Sequence, residues 1–191
     1  MKIGLYFGSF NPIHIGHMAI ANFMIEFSDL DQLWFVVSPH NPLKEKNSLL
    51  KDYHRLEMVR LAIENDDRFR ASDIEFKLPT PSYTIDTLTY LEELNPGREF
   101  QLVMGADGLR TFHKWKHAHL IAEKYHRLIY PRPGMDLDKL SQLPNATVVN
   151  APLMEISSSF IRKAIKEGKD IRHLVPAGAY QYMREMHFYE K

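Results

Sequence analysis

Two histidines three residues apart, His14 and His17, close the decapeptide Gly8-Ser9-Phe10-Asn11-Pro12-Ile13-His14-Ile15-Gly16-His17. At the start of a helix, positions i and i+3 point to one side, so both rings can offer N–H donors to the oxygens of a phosphate. An isolated His-x-x-His more often decorates a loop. Zinc is the other reading, but it needs three or four ligands, and the chain has no Cys and no acidic third ligand nearby in sequence. A second stretch changes the balance. In Ile156-Ser157-Ser158-Ser159-Phe160-Ile161-Arg162 three hydroxyls open a predicted helix, and Ser158 and Arg162, four apart, share a face. Hydroxyls, free backbone N–H groups and a guanidinium fork can converge there on a terminal phosphate. Alone, this stretch would read as a serine cap followed by a surface arginine. Beside the two histidines it reads as the other half of an anion site.

Side chains so far apart in sequence need a scaffold that brings them together. Lys2 to Phe7 has the length and the β-branched and aromatic content of a buried strand, and Met18 to Phe27 is an apolar run without Gly or Pro, a predicted helix. The decapeptide is then a strand-to-helix turn, where free N–H groups, the helix dipole and glycines all favour an anion. Gln32 to Ser38 is a second buried strand, and strand, helix, strand implies parallel pairing. The loop that follows, with Lys44 and its competitor Lys46, is thereby placed at the same sheet edge as the histidines. Asp52 is expected to cap a scaffold helix reaching about Asn65, and Phe69 to lead a weaker third strand towards Ile74 and Phe76.

Further along, Pro79 to Thr84 opens a helix bearing Ile85, Leu88, Leu91 and Leu94, with Asp86 in its first turn. Phe100 to Met104 is a strand ending in Gly105-Ala106-Asp107, where Gly105 permits close approach and Asp107 either accepts ribose hydroxyls or caps a helix. Trp115, among the cations of the 113–119 stretch, reads as an exposed indole able to stack on a ring. His113 and His117 read as a solvated helical face rather than a metal pair. Leu128-Ile129-Tyr130 is a fifth strand, followed by the loop Pro131-Arg132-Pro133-Gly134, and Thr147-Val148-Val149 is a final one. The serine-led helix runs to Gly168, and a last helix starts at Pro176. The predicted fold is α/β: a doubly wound, Rossmann-like parallel sheet with a C-terminal helical segment and its ligand at the topological switch point.

Composition bounds the partners. The 191 residues suit a single domain, 1–191, and 24 Lys plus Arg against 24 Asp plus Glu gives no net charge, which argues against nucleic acid or an anionic membrane as partner. Zero Cys removes thiolate catalysis and disulfides. Met1-Lys2-Ile3-Gly4 has no signal-peptide anatomy and no apolar run has the length of a span, so a cytoplasmic protein is expected, with a homo-oligomer left open.

Gly8-x-Phe10-x-Pro12-x-His14-x-Gly16-His17 resembles the signature of the nucleotidyltransferase superfamily, whose His-x-Gly-His turn binds a nucleoside triphosphate, and which shares that turn with class I aminoacyl-tRNA synthetases. The usual Asp of the signature stands here as Asn11, which removes a charge beside the phosphates. Pro81-Ser82-Tyr83-Thr84-Ile85-Asp86-Thr87-Leu88, Met104-Gly105-Ala106-Asp107, Trp115-Lys116 and the Ile156 to Arg162 motif follow in the order seen in bacterial nicotinate-nucleotide adenylyltransferases. That resemblance implies ATP and nicotinate mononucleotide as substrates, with Mg2+ accompanying the ATP. It implies catalysis by His14, His17, Lys44 and Arg162. It puts Gly8, Ser9, Phe10, His14, Gly16, His17, Gly105, Asp107, Ile156, Ser157, Ser158, Ser159 and Arg162 on ATP, and Ser9, Asn11, Lys44, Tyr83, Thr84 and Trp115 on the acceptor. In this assignment the N–H groups of Tyr83 and Thr84 receive the nicotinate carboxylate and Trp115 stacks on the pyridine. The alternatives are another small-molecule nucleotidyltransferase, such as one acting on nicotinamide mononucleotide or phosphopantetheine, or a nucleotide-binding sensor without turnover.

Overall fold

The computed structural model describes residues 1–39, 49–134 and 141–190. Its centre is a parallel sheet built from β1 (Lys2–Gly8), β2 (Gln32–Val37), β3 (Phe69–Ser72), β4 (Glu99–Gly105), β5 (Arg127–Tyr130) and β6 (Ala146–Val148), in the order β3-β2-β1-β4-β5-β6. All five strand pairings are parallel. The described helices are α1 (Ile15–Phe27), α2 (Asp52–Ile63), α3 (Thr84–Leu94), α4 (Leu109–Phe112), α5 (Ala118–Lys124), α6 (Ser158–Lys166) and α7 (Ala177–Glu185).

Strands buried on both faces read as unbroken apolar runs, and β2 shows why. Leu33, Phe35 and Val37 enter one core with Ile20 and Met24 of α1, Met58 of α2, Ile161 of α6 and Met183 of α7. Trp34 and Val36, on the alternate positions, enter a second core with Leu88 and Leu91 of α3 and Ile121 of α5. The chain winds outward from β1 through β2 to β3, then resumes at β4 on the other side of β1 and winds outward to β6. The crevice between the carboxyl ends of β1 and β4 is therefore the switch point. Gly8 and Gly105 end the two strands that flank it.

Some boundaries differ from expectation for local reasons. The third strand stops at Ser72, whose Oγ accepts from the Ile74 N–H at 3.4 Å, and Ile74–Lys77 turns into a 3-10 helix instead of extending the strand. Asp52 is the first residue of α2 rather than its cap, and its carboxylate pairs with Arg55 at 2.6 Å. Helix α1 begins at Ile15, so Gly16 and His17 belong to its first turn. Gly168, at φ +69°, takes the left-handed conformation that ends α6. Among the described residues no helix is long and apolar enough to cross a membrane.

Candidate active site

The turn after β1 is shaped by one aromatic ring. Phe10 adopts φ +43°, a backbone a bulky side chain rarely takes, and its ring is buried under the turn at 1% exposure. A Cβ on Gly8 would stand 2.8 Å from that ring, so the strand end must be glycine for Phe10 to tuck beneath it. Phe10 in turn meets His17 edge-on, with ring centroids 5.1 Å apart. Its place is thus a support under the histidine, although it also borders one of the cavities below.

His14 and His17 stack at 3.7 Å between centroids, 27° apart in plane. The His14 N–H donates to Nδ1 of His17 at 3.2 Å, which leaves neutral His17 with its hydrogen on Nε2. Gly16 makes the stack possible, since a Cβ there would lie 3.0 Å from Nδ1 of His14. That Nδ1 is buried with no hydrogen-bond partner, a position better suited to a lone pair than to an N–H, so the hydrogen of neutral His14 belongs on Nε2. Burial, and secondarily the charge of Arg132, lowers the His14 pKa from 6.5 to about 4.

This shift carries a prediction for stability. Between pH 6.5 and about 4 the unfolded chain binds a proton at this ring that the folded chain refuses. Stability from His14 is therefore complete above pH 6.5 and falls as pH drops through that window, by about 3 kcal/mol in all. Thermal unfolding of ligand-free wild type and of His14→Gln from pH 7 to 4 should show a shallower acid decline in the variant. Parallel declines would mean that the ring protonates freely in the folded state.

The second anion element is pinned to the first. Ser157 caps α6, its Oγ accepting from the Phe160 N–H at 3.2 Å. Ser158 Oγ donates to the Pro12 carbonyl at 2.9 Å, and Arg162 donates through Nη1 to the Asn11 carbonyl at 2.8 Å. Arg162 Nη2 reaches Ser159 Oγ at 3.3 Å. The serines expected to face phosphate thus have structural partners already, and Arg162 is held beside the histidine turn.

Two cavities open here. The larger, about 820 Å³, is bordered by Asn11, His14 and Gly16 on one side and Ile156, Ser157, Ser159 and Arg162 on the other. The smaller, about 320 Å³, is bordered by Gly8, Phe10, Gly105, Asp107 and Trp115. Tyr6, Ser9, His17, Arg132 and Ser158 border both and form the wall between them. Trp115 is half-buried rather than the exposed indole the sequence suggests, because it packs on Phe112, 5.3 Å between centroids, beside the second core. At Gly105 a Cβ would crowd Oδ1 of Asp107 and stand 3.1 Å from the Tyr130 ring.

Other expected residues fall elsewhere. Tyr83 and Thr84 border neither cavity; Tyr83 precedes α3, and the Lys116 ammonium lies 4.8 Å from the centre of its ring and pairs with Asp86 at 2.9 Å. The start of α3 therefore abuts the segment that carries Trp115. Asn11 borders the large cavity, yet its Oδ1 already accepts from the Leu50 N–H at 3.3 Å and the Tyr189 hydroxyl at 2.6 Å. Lys44 and Lys46 lie outside the described residues.

Two residues escaped the sequence reading. Arg132, in the loop after β5, reaches Asp107 at 3.4 Å, stacks over Tyr130 at 5.2 Å and donates to the Met154 carbonyl at 3.3 Å. Its position after a strand at the ligand edge was the available signal. Arg55, fully buried, ties the turn to its surroundings by donating to the carbonyls of Leu50, Ser9, Ser38 and Pro39 at 2.6–3.0 Å and to Asp52 at 2.6 Å. Nothing in a helical pattern marks such a residue in advance.

Sheet order and paired anion elements at the switch point define an α/β protein built to hold nucleotide phosphates. Relatives make that specific. The profile of the cytidylyltransferase-like family matches residues 5–164. The chain is 52% identical over 193 residues to a probable nicotinate-nucleotide adenylyltransferase of Flavobacterium johnsoniae, covering 100% of both. It is 50% identical over 180 residues to one of Bacteroides fragilis, covering 94% of this chain and 90% of the relative. Among solved structures, Plasmodium falciparum nicotinic acid mononucleotide adenylyltransferase complexed with NaAD matches with a TM-score of 0.82 at 22% identity, covering 99% of this chain and 97% of that one, a likeness of fold. The chain belongs to the nicotinate-nucleotide adenylyltransferases, within the cytidylyltransferase-like family.

Proposed function

We propose that this chain transfers the adenylyl group of ATP to the 5′-phosphate of nicotinate mononucleotide, giving nicotinate adenine dinucleotide and pyrophosphate, and that it does so in the cytoplasm. The observation that carries this reading is the shared wall: two cavities of unequal size meet at His17 and Arg132, as two phosphate-bearing substrates must meet for in-line transfer. An oxygen of the acceptor phosphate attacks the α-phosphorus, and the bond from that phosphorus to the β-bridging oxygen breaks. The attacking phosphate is already ionised, so no protein base is required.

The residues' work is then to position and to neutralise. His14 and His17 donate to α-phosphate oxygens through Nε2, and Arg162 holds the departing β- and γ-phosphates. Arg132 lies between the two charged groups and lowers their repulsion. Trp115 offers its face to the pyridine ring. Mg2+ would neutralise further charge on the triphosphate. Among the described residues no group of three or more His, Cys, Asp or Glu could hold a metal by itself.

The test is pyrophosphate release on mixing with ATP, Mg2+ and each of nicotinate mononucleotide, its amide and phosphopantetheine. The acid is expected to exceed the amide in kcat/KM by about tenfold, the preference carried by the names of the relatives at 50–52% identity. Equal values would remove that preference, and no release with any acceptor would overturn the activity.

A further inference from the structure

Tyr189 borders neither cavity, yet its hydroxyl donates to Asn11 Oδ1 at 2.6 Å, across 178 positions of sequence. Asn11 is itself 3% exposed, and its backbone carbonyl accepts the 2.8 Å bond from Arg162 Nη1. One residue therefore receives the tyrosine on its side chain and the phosphate-facing arginine on its main chain. The tail that delivers the hydroxyl is unusual. His187 and Tyr189 both take left-handed backbones, at φ +52° and +64°, which non-glycine residues hold only where surrounding contacts enforce it.

The surrounding side chains supply such contacts. Phe188 packs on His54 of α2, with centroids 4.6 Å apart, and edge-on against Tyr182 of α7 at 5.8 Å. His187 and Arg184 both reach Glu190 at 3.0 Å. Burial pushes the Tyr189 phenol up, against the opposing charges of Arg162 and Arg55, so it remains a donor across the working pH range. The strained tail has one polar product at the site, the hydroxyl on Asn11.

We propose that Tyr189 is a positioning residue for the triphosphate: it fixes Asn11, and Asn11 fixes the arginine of α6 at the mouth of the larger cavity. This rests on the reading above that Arg162 faces the nucleotide's phosphates. Asn11 suits the role. As an amide it accepts the tyrosine and the Leu50 N–H without adding a negative charge beside the phosphates.

The experiment uses Tyr189→Phe, which deletes one oxygen and keeps the ring, with α,β-methylene-ATP and Mg2+ as the probe in calorimetry. The variant is expected to fold with a Tm near wild type and to bind the analogue about tenfold more weakly, with the KM for ATP rising in step and kcat falling less. Because the effect passes through Arg162, adding Tyr189→Phe to Arg162→Lys should weaken binding little further. Wild-type affinity in Tyr189→Phe overturns the inference, as does a lowered Tm with affinity intact, or full additivity with Arg162→Lys. The acceptor plays no part in this measurement. Wild type that binds the analogue but does not use nicotinate mononucleotide defeats the proposed reaction and leaves this inference standing, whereas wild type that does not bind the analogue defeats both.

Discussion

Replacing His17 with alanine is expected to lower kcat by about 10²–10³-fold while changing the affinity for α,β-methylene-ATP only a few-fold. Three features place the loss in the chemical step. His17 stands in the wall common to both cavities, where the two substrates would react. Its ring is fixed from three directions, by the stack on His14, the edge of Phe10 and the hydrogen bond from the His14 N–H, so a donor at Nε2 needs no reorganisation as charge builds on the α-phosphate. The β- and γ-phosphates would meanwhile keep their own partners around Arg162, which preserves ground-state affinity. Pyrophosphate release under saturating substrates, paired with calorimetry, separates the two quantities. A folded His17→Ala protein with near-native kcat would remove this residue from the mechanism.

The second large effect falls on stability. Arg55→Met is expected to destabilise the fold by about 3–5 kcal/mol, lowering Tm by roughly 10 °C. Methionine fills much of the same volume but offers no donor to the carbonyls of Ser9, Ser38, Pro39 and Leu50, four main-chain acceptors that the guanidinium satisfies at 2.6–3.0 Å. Asp52 would lose its partner too, a smaller matter because that carboxylate is 42% exposed. Arg55→Lys should recover only part of the loss, since one ammonium cannot span acceptors on both strand ends. Urea and thermal unfolding read the difference directly. A methionine variant within about 1 kcal/mol of wild type would show that those carbonyls are readily satisfied by water.

The parts of the fold legible in sequence are those where one physical effect dominates. Strands β1, β2 and β4 are buried on both faces, so their buried positions are apolar apart from Gln101, and no helical pattern competes with them. The stretch from Ile74 to Lys77 was misread because its apolar residues suit a strand, whereas the Ser72 side chain turns the backbone away. At the site, the meeting of the histidine turn with α6 was legible because both are anion-friendly helix starts that a parallel sheet must bring to one edge. The places of Arg55 and Tyr189 were not. Each depends on backbone carbonyls or distant side chains, and an acceptor carbonyl has no signature in sequence. Tyr83 and Thr84 show the reverse limit: a helix start with free N–H groups is easy to predict, but which cavity it borders depends on packing.

The bond from Ser158 to the Pro12 carbonyl joins positions 146 residues apart. At a translation rate of roughly 5–20 residues per second, a ribosome needs about 7–30 s to make the residues between them. Throughout that time the histidine turn exists as sequence but has no opposite wall. If ATP lies between the histidine turn and α6, as proposed, an incomplete chain holds only half of that pocket, and ATP would chiefly stabilise molecules in which α6 has docked. Cellular ATP, abundant compared with any single protein, would then act as a selective ligand for the finished fold, drawing newly made chains towards completion without trapping incomplete ones.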